Sequence, residues 1–255
     1  MQRSSITIDG VELHYRRLGA DFEGPPLVFL HEGLGSVELW RDFADEVVGR
    51  TRRRGLAFSR QGNGWSAPLS SPRTPDYMHE EGLKTLPAVL EALLGTPPIL
   101  IGHSDGASIA IVYAGAGNPV KGLVLIAPHV FAEEEGLRAI RAIRRRFAQG
   151  DLVERMAKYH VDPESTFHGW ADVWLSPEFR SWNIEEYLPG VDCPTLVVQG
   201  SDDQYGTMQQ LVAIDAGLQT PARRLVVESA GHSPHLTNPG LVTDEVVDFI
   251  TGLER

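Results

Sequence analysis

The chain of 255 residues has a single cysteine, Cys193, so no intrachain disulfide is possible. It also has no long hydrophobic run: its N-terminus carries no apolar signal region, and no segment approaches the length of a membrane span. Basic residues are few, 23 against 34 acidic ones, and the net charge of -11 disfavours nucleic acid or an anionic membrane as a partner. We therefore expect a cytoplasmic protein that acts on a small-molecule substrate.

Metal-ligand spacing is missing as well. The nine histidines include no His-x-x-x-His pair with a carboxylate on one predicted helix, and Pro234 interrupts the pair formed by His232 and His235. The turn Gly62-Asn63-Gly64-Trp65-Ser66 lacks the lysine that a phosphate-binding loop requires, so we interpret it as structural. The sequence predicts neither a metal nor a cofactor.

Short apolar runs, typical of strands, alternate with helical patterns along most of the chain. Asp9-Gly10 predicts a hairpin between two N-terminal strands. Six further strands are predicted near residues 27–30, 56–59, 98–101, 122–127, 194–199 and 224–228. This alternation predicts the α/β class, with a mostly parallel eight-stranded sheet covered by helices on both faces. Ligands then bind at the C-terminal edge of the strands.

The most informative motif is Gly102-His103-Ser104-Asp105-Gly106, which follows a predicted strand and precedes a predicted helix. In that context a Gly-x-Ser-x-Gly turn exposes its serine at the end of the strand. Glycines at both ends allow the backbone to come close to itself, and the start of the helix favours negative charge nearby. Ser104 is therefore predicted to be a nucleophile.

A serine nucleophile needs a base, and the base needs an acid that orients it. Gly200-Ser201-Asp202-Asp203 follows one predicted strand, and a segment holding His232 and His235 follows the last one. An acid and a histidine thus lie at the same sheet edge as Ser104, in the chain order serine, acid, histidine.

These motifs together resemble the α/β-hydrolase superfamily over nearly the full length of the chain. The resemblance implies that Asp203, three residues after Gly200, is the acid rather than its neighbour Asp202. It likewise implies that His232, in a Gly-His motif, is the base, and His235 is interpreted as a packing residue.

The segment His31-Glu32-Gly33-Leu34-Gly35 resembles the turn that presents a backbone N–H to the substrate in this superfamily. The resemblance implies an oxyanion hole formed by the N–H groups of Gly33 and Asp105. Glu32 stands where glycine is common. It either faces solvent or caps a helix, or it takes part in substrate selection. The Asp105 carboxylate either stabilises a helix N-terminus or faces the pocket, where it would disfavour anionic substrates.

Residues 129–190 interrupt the alternation, with helical patterns at 133–149, 151–160 and 177–187. By the resemblance this segment is a helical lid inserted after the sixth strand, and residues 1–128 and 191–255 form the core. Aromatic residues in such a lid favour an apolar acyl site. We expect substrate contacts from Glu32, Leu34, His129, Trp170, Trp174 and Trp182.

The expected activity is that of an esterase-like serine hydrolase, which cleaves a carboxylic ester with an apolar or aromatic acyl group through an acyl-enzyme. The same three side chains also suit a C–C bond hydrolase, a lactonase, a thioesterase or a cofactor-free perhydrolase. A ligand-binding receptor is the remaining alternative. The sequence leaves the natural substrate and the oligomeric state open.

Overall fold

A computed structural model describes residues 4–253. Eight strands form one sheet in the order β1-β2-β4-β3-β5-β6-β7-β8. Strand β2 runs antiparallel to both of its neighbours, and the other adjacent strands are parallel, so the predicted architecture is confirmed. The strands are β1 Ser4–Ile8, β2 Val11–Leu18, β3 Leu27–Leu30, β4 Gly55–Phe58, β5 Ile99–His103, β6 Gly122–Ile126, β7 Thr195–Gly200 and β8 Arg223–Val227.

Apolar side chains on both faces of the sheet explain its central position. Every residue of β3, β4, β5, β6 and β7 is buried, as expected for parallel strands covered by helices on each side. Alternate residues of one strand face different clusters: Leu100 packs with α3 and α4, and Ile101 packs with α1 and α10. The sheet therefore offers a rigid edge from which short loops can project.

Helices cover both faces of the sheet and fill the segment between β6 and β7. They are α1 Arg41–Thr51, α2 Tyr77–Glu80, α3 Leu86–Leu93, α4 Asp105–Gly115, α5 Glu134–Phe147, α6 Asp151–Met156, α7 Pro163–Trp174, α8 Gln209–Gly217, α9 Pro234–Thr237 and α10 Pro239–Gly252. A π-helical turn, Glu81–Thr85, joins α2 to α3. Within residues 4–253, none of these helices combines the length and apolarity needed to cross a bilayer.

The segment between β6 and β7 holds helices α5, α6 and α7. The structure differs from the sequence expectation for this segment in two respects. The pattern at 177–187 forms two short 3₁₀ segments, Glu178–Ser181 and Glu185–Gly190, rather than one helix. The longer helix α7, which carries two tryptophans, was not predicted. It begins with Pro163 after an Asp162 side chain that accepts a hydrogen bond from the Ser165 N–H, a capping signal readable in the sequence.

Candidate active site

Ser104 lies at the sharp turn between β5 and α4 with φ 53° and ψ -118°, a conformation rare for a residue with a side chain. A Cβ atom on Gly102 would lie 2.4 Å from the Gly106 carbonyl oxygen, and one on Gly106 would lie 1.9 Å from the Leu30 carbonyl oxygen. Both positions therefore require glycine. The strain at Ser104 is held in place by the surrounding backbone.

Asp203 and His232 lie together at the ends of β7 and β8. The His232 Nδ1 atom is 2.9 and 2.8 Å from the two Asp203 carboxylate oxygens. Because the carboxylate only accepts, Nδ1 carries the proton and Nε2 presents a lone pair. Asp202 is exposed and accepts a hydrogen bond from the Ser201 hydroxyl. Of the two neighbouring acids, Asp203 is the one that contacts the histidine.

The loop around Asp203 keeps its carboxylate ionised. The side-chain amide of Gln199 donates to Oδ2 at 2.8 Å, and the Tyr205 N–H donates to Oδ1 at 2.8 Å. Burial alone would raise the pKa of Asp203, but hydrogen bonds and the charge of His232 outweigh it and hold this pKa below its ordinary value. The acid can therefore orient His232 near neutral pH.

A buried arginine holds the loop that follows β3. Arg60 donates from Nη1 to the His31 carbonyl at 2.6 Å and from Nη2 to the Glu32 carbonyl at 2.9 Å. In a trans peptide the N–H points away from the C=O, so the Gly33 N–H points away from Arg60. Gly33 lines the cavity described below. Its N–H has no hydrogen-bond acceptor among residues 4–253.

Asn63 holds the next part of the same loop. Its side-chain amide donates to the carbonyl oxygens of Gly33 and Gly35, each at 3.0 Å, and its own oxygen accepts from Arg73 at 2.9 Å. The turn at 62–66 thus supports the loop after β3 from behind. This agrees with the interpretation of that turn as structural, and its role is to hold the carbonyl oxygens of Gly33 and Gly35 in place.

The Asp105 carboxylate lies beneath the turn and contributes nothing to the cavity lining. It accepts a hydrogen bond from the Tyr77 hydroxyl, which accepts in turn from the Trp174 indole N–H at 2.9 Å. Arg60 Nη2 is 3.9 Å from the Asp105 carboxylate. Burial, and next the charge of Asp105, hold the pKa of Tyr77 well above its ordinary value, so Tyr77 remains a donor. The Asp105 N–H, in the first turn of α4, has no intrahelical partner.

A cavity of about 150 Å³ lies over Ser104. Of the residues with expected substrate contacts, Glu32, Leu34, His129, Trp170 and Trp174 line it. Trp182 is outside the lining, stacked on Phe179 behind Trp174. The lining also includes Gly33, Ser104 and His232. Three lining residues were not predicted from the sequence: Gly136 and Ile140 on α5, and Tyr205, two residues after Asp203.

Two of the polar side chains at this cavity differ in charge. Burial, and next the charge of His232, lower the pKa of His129 from 6.5 to about 4, so His129 is neutral near pH 7. Burial alone would raise the pKa of Glu32, but a hydrogen bond from His103 and its charge hold this pKa below its ordinary value. The cavity is therefore mainly apolar and aromatic, with one carboxylate at Glu32.

Ser104 and His232 line the same cavity, and no hydrogen bond joins their side chains in the described part of the chain. Such bonds often tighten only when substrate binds. Within residues 4–253, no group of three or more His, Cys, Asp or Glu side chains is arranged to hold a metal ion.

Residues 27–245 match the model of the alpha/beta hydrolase family. Serine hydrolase BPHL of Mus musculus is 29% identical over 210 residues, which cover 78% of this chain and 70% of that protein. A proline iminopeptidase of Lactobacillus acidophilus is 33% identical over 235 residues, which cover 76% of this chain and 80% of the relative.

Solved structures show the same fold. A thermophilic esterase from Thermogutta terrifontis superposes with a TM-score of 0.78 at 19% sequence identity, over 100% of both chains. At that identity the likeness concerns the fold alone.

Proposed function

Since the chain belongs to the alpha/beta hydrolase family and is a hydrolase, we propose that it cleaves carboxylic esters with an apolar or aromatic acyl group. The observation that carries this proposal is the contact between His232 and Asp203, at a cavity that also holds the strained Ser104. Nucleophile, base and orienting acid thereby occur at one sheet edge, as acyl transfer through a serine requires.

The proposed reaction begins with attack of the Ser104 oxygen on the ester carbonyl. His232 accepts the hydroxyl proton at Nε2, because Nδ1 is committed to Asp203. The developing imidazolium is stabilised by the Asp203 carboxylate. His232 then donates the proton to the departing alcohol, and an acyl-enzyme remains on Ser104. The same histidine then takes a proton from water, whose oxygen attacks the acyl carbon. The bond between the acyl carbon and the Ser104 oxygen breaks, the proton returns to that oxygen, and the carboxylic acid is released.

The N–H groups of Gly33 and Asp105 are the proposed donors to the oxyanion. Arg60 directs the first through the Glu32 carbonyl, and the start of α4 supplies the second. Fixed donors of this kind stabilise the negative oxygen more than the neutral carbonyl, and each contributes about 3 kcal/mol to the transition state.

The cavity supports an apolar acyl group. Its walls include Trp170, Trp174, Tyr205 and Ile140, and a cavity of about 150 Å³ can hold a group the size of benzene. A buried methylene contributes about 0.8 kcal/mol, so two extra methylenes in the acyl chain amount to about tenfold in kcat/KM.

The test compares p-nitrophenyl acetate, butyrate and benzoate, with a thioester and a lactone of similar size assayed beside them. We expect butyrate to exceed acetate by about tenfold in kcat/KM, with a burst of p-nitrophenol as the acyl-enzyme forms. A fluorophosphonate should label Ser104, as located by mass spectrometry. Faster turnover of the thioester or lactone would replace the ester assignment.

The matched control is another serine of the same helix region. Ser108 is buried in α4, and its hydroxyl donates to the His129 carbonyl at 2.6 Å. Ser104→Ala should abolish both labelling and turnover, and Ser108→Ala should keep both. Full turnover in Ser104→Ala would refute the proposed nucleophile.

A further inference from the structure

We infer that Glu32 and His103 form a second acid–histidine pair, which positions the catalytic histidine through its main chain. This inference rests on the proposed function of His232. The juxtaposition is direct: His103 Nε2 is 2.8 Å from the His232 carbonyl oxygen, and His103 Nδ1 is 3.4 Å from Glu32 Oε2. Glu32 and His103 are positioning residues, because they act through His232.

Both ring nitrogens of His103 face atoms that only accept hydrogen bonds. A carbonyl oxygen and an ionised carboxylate are both satisfied only when the ring donates from both nitrogens. His103 is nearly fully buried, and its ring is also 4.6 Å from that of His235, measured between centroids. Burial and the neighbouring histidines hold the pKa of His235 well below its ordinary value, so His235 supplies no competing charge near pH 7.

The local backbone is shaped to let Glu32 reach His103. A Cβ atom on Gly35 would lie 2.4 Å from Glu32 Oε2 and 2.8 Å from the His31 Cβ, so the Glu32 carboxylate occupies space that a side chain at position 35 would need. The side chain of Glu32 is 30% exposed and that of His103 is 3% exposed. Glu32 thus connects the cavity wall to a buried ring, and neither solvent exposure nor helix capping accounts for it.

The consequence for catalysis is geometric. His103 ends β5 and directly precedes Ser104, and His232 lies between β8 and α9. The bond from His103 to the His232 carbonyl therefore joins the nucleophile's strand to the loop that carries the base. Asp203 fixes the ring of His232, and His103 fixes its main chain. A displacement of about 1 Å between reacting groups can cost about 100-fold in rate.

Four variants test this positioning role with p-nitrophenyl butyrate. His103→Met keeps the length of the side chain but cannot donate, and kcat should fall about 100-fold with little change in KM. His103→Gln keeps a donor in reach of the His232 carbonyl and should retain about tenfold more kcat than His103→Met. Glu32→Gln should lower kcat about tenfold. The double variant Glu32→Gln/His103→Met should be no slower than His103→Met, because the carboxylate acts only through the ring.

The matched control is Glu38→Gln, in the same loop region but outside the cavity lining, where Glu38 accepts from the Ser36 hydroxyl. It should leave kcat and KM unchanged. The rescue by His103→Gln is the second readout, because a general loss of folding would not depend on a donor at this position.

Several results would overturn the inference. Multiplicative losses in the double variant would mean that the two residues act independently, and a change in KM alone for Glu32→Gln would make Glu32 a substrate contact. Equal kcat in His103→Met and His103→Gln would also contradict it. If instead the wild type neither labels at Ser104 nor turns over esters, the proposed function itself fails.

Discussion

Ser104 stands between two groups of loops that are held in place by different means. On the side of the proposed base His232 (the base side), the Asp203 carboxylate takes hydrogen bonds from Gln199 and Tyr205, neighbours within four residues. On the side of the proposed oxyanion hole (the oxyanion side), the loop after β3 is held by Arg60 and Asn63, which are about 30 residues away in the chain. The orienting carboxylate is thus held by local contacts, and the loop after β3 depends on a buried network that spans distant segments.

The largest expected effect breaks the local side. Asp203→Asn should lower kcat about 10⁴-fold, because an amide at this position favours the wrong tautomer of His232. The measurement is steady-state hydrolysis of p-nitrophenyl butyrate. Asp202→Asn is the matched control and should change kcat less than about twofold, since Asp202 is exposed and contacts Ser201. The opposite ranking of the two variants would transfer the role to Asp202.

The next effect concerns the distant network. Arg60→Lys keeps a positive charge near Asp105 but loses the fork that binds two carbonyl oxygens. The Gly33 N–H should then lose its fixed direction, and kcat should fall about 100-fold with KM little changed. The control is Arg16→Lys, because Arg16 forms an exposed ion pair with Asp45 at the surface; this variant should leave kcat unchanged. A rise in KM with kcat unchanged would show that Arg60 supports substrate binding rather than the proposed oxyanion hole.

The same contrast explains what the sequence could predict. The glycines around Ser104, the Asp203 turn and the Gly231-His232 motif are local signals. They allowed the sharp turn at Ser104 to be predicted, and through the family resemblance they implied the pair Asp203 and His232. No short pattern links Arg60 to the His31 carbonyl or Tyr77 to Asp105. These contacts depend on how distant segments pack, and they decide that Asp105 lies under the turn rather than in the cavity.

The segment between β6 and β7 also depends on contacts between distant residues. Its helical nature was predicted, but α7 was missed, and Trp182 packs behind Trp174 instead of facing the cavity. Which tryptophan faces inward depends on helix rotation and on partners such as the Tyr77 hydroxyl. The amino-acid composition of the segment gives neither the rotation of the helix nor these packing partners. The boundaries of the lid at 129 and 190 stay a prediction.

A smaller effect tests the link between this segment and the turn. Tyr77→Phe removes the hydroxyl that joins the Trp174 indole to Asp105, and leaves a buried donor and a carboxylate oxygen without that partner. The free energy of unfolding should fall by about 1–3 kcal/mol in urea denaturation. Tyr113→Phe, at another buried tyrosine, should change it by less than about 0.5 kcal/mol. Equal losses in both variants would remove any special role for the Tyr77 hydroxyl.

The smallest effect concerns pH and distinguishes the two sides by their histidines. His235, on the base side, is buried against the rings of Trp40 and Phe43. Its pKa lies well below the ordinary value of 6.5, mainly because of this burial and further because of the charges of His103 and His232. Below about pH 6.5 the unfolded chain binds a proton at this position and the folded chain does not. The contribution of this group to the free energy of unfolding is therefore fully present above about pH 6.5 and is lost as pH falls, by at most about 1.4 kcal/mol per pH unit.

The variant His235→Leu cannot titrate and suits the apolar surroundings. Its free energy of unfolding should decline less steeply than that of the wild type between about pH 7 and about pH 5. If the free energy of unfolding of His235→Leu declines as steeply as that of the wild type, His235 contributes nothing to the acid sensitivity. The next histidine to replace is then His31 on the oxyanion side, because burial and then the charge of Arg60 hold its pKa well below the ordinary value.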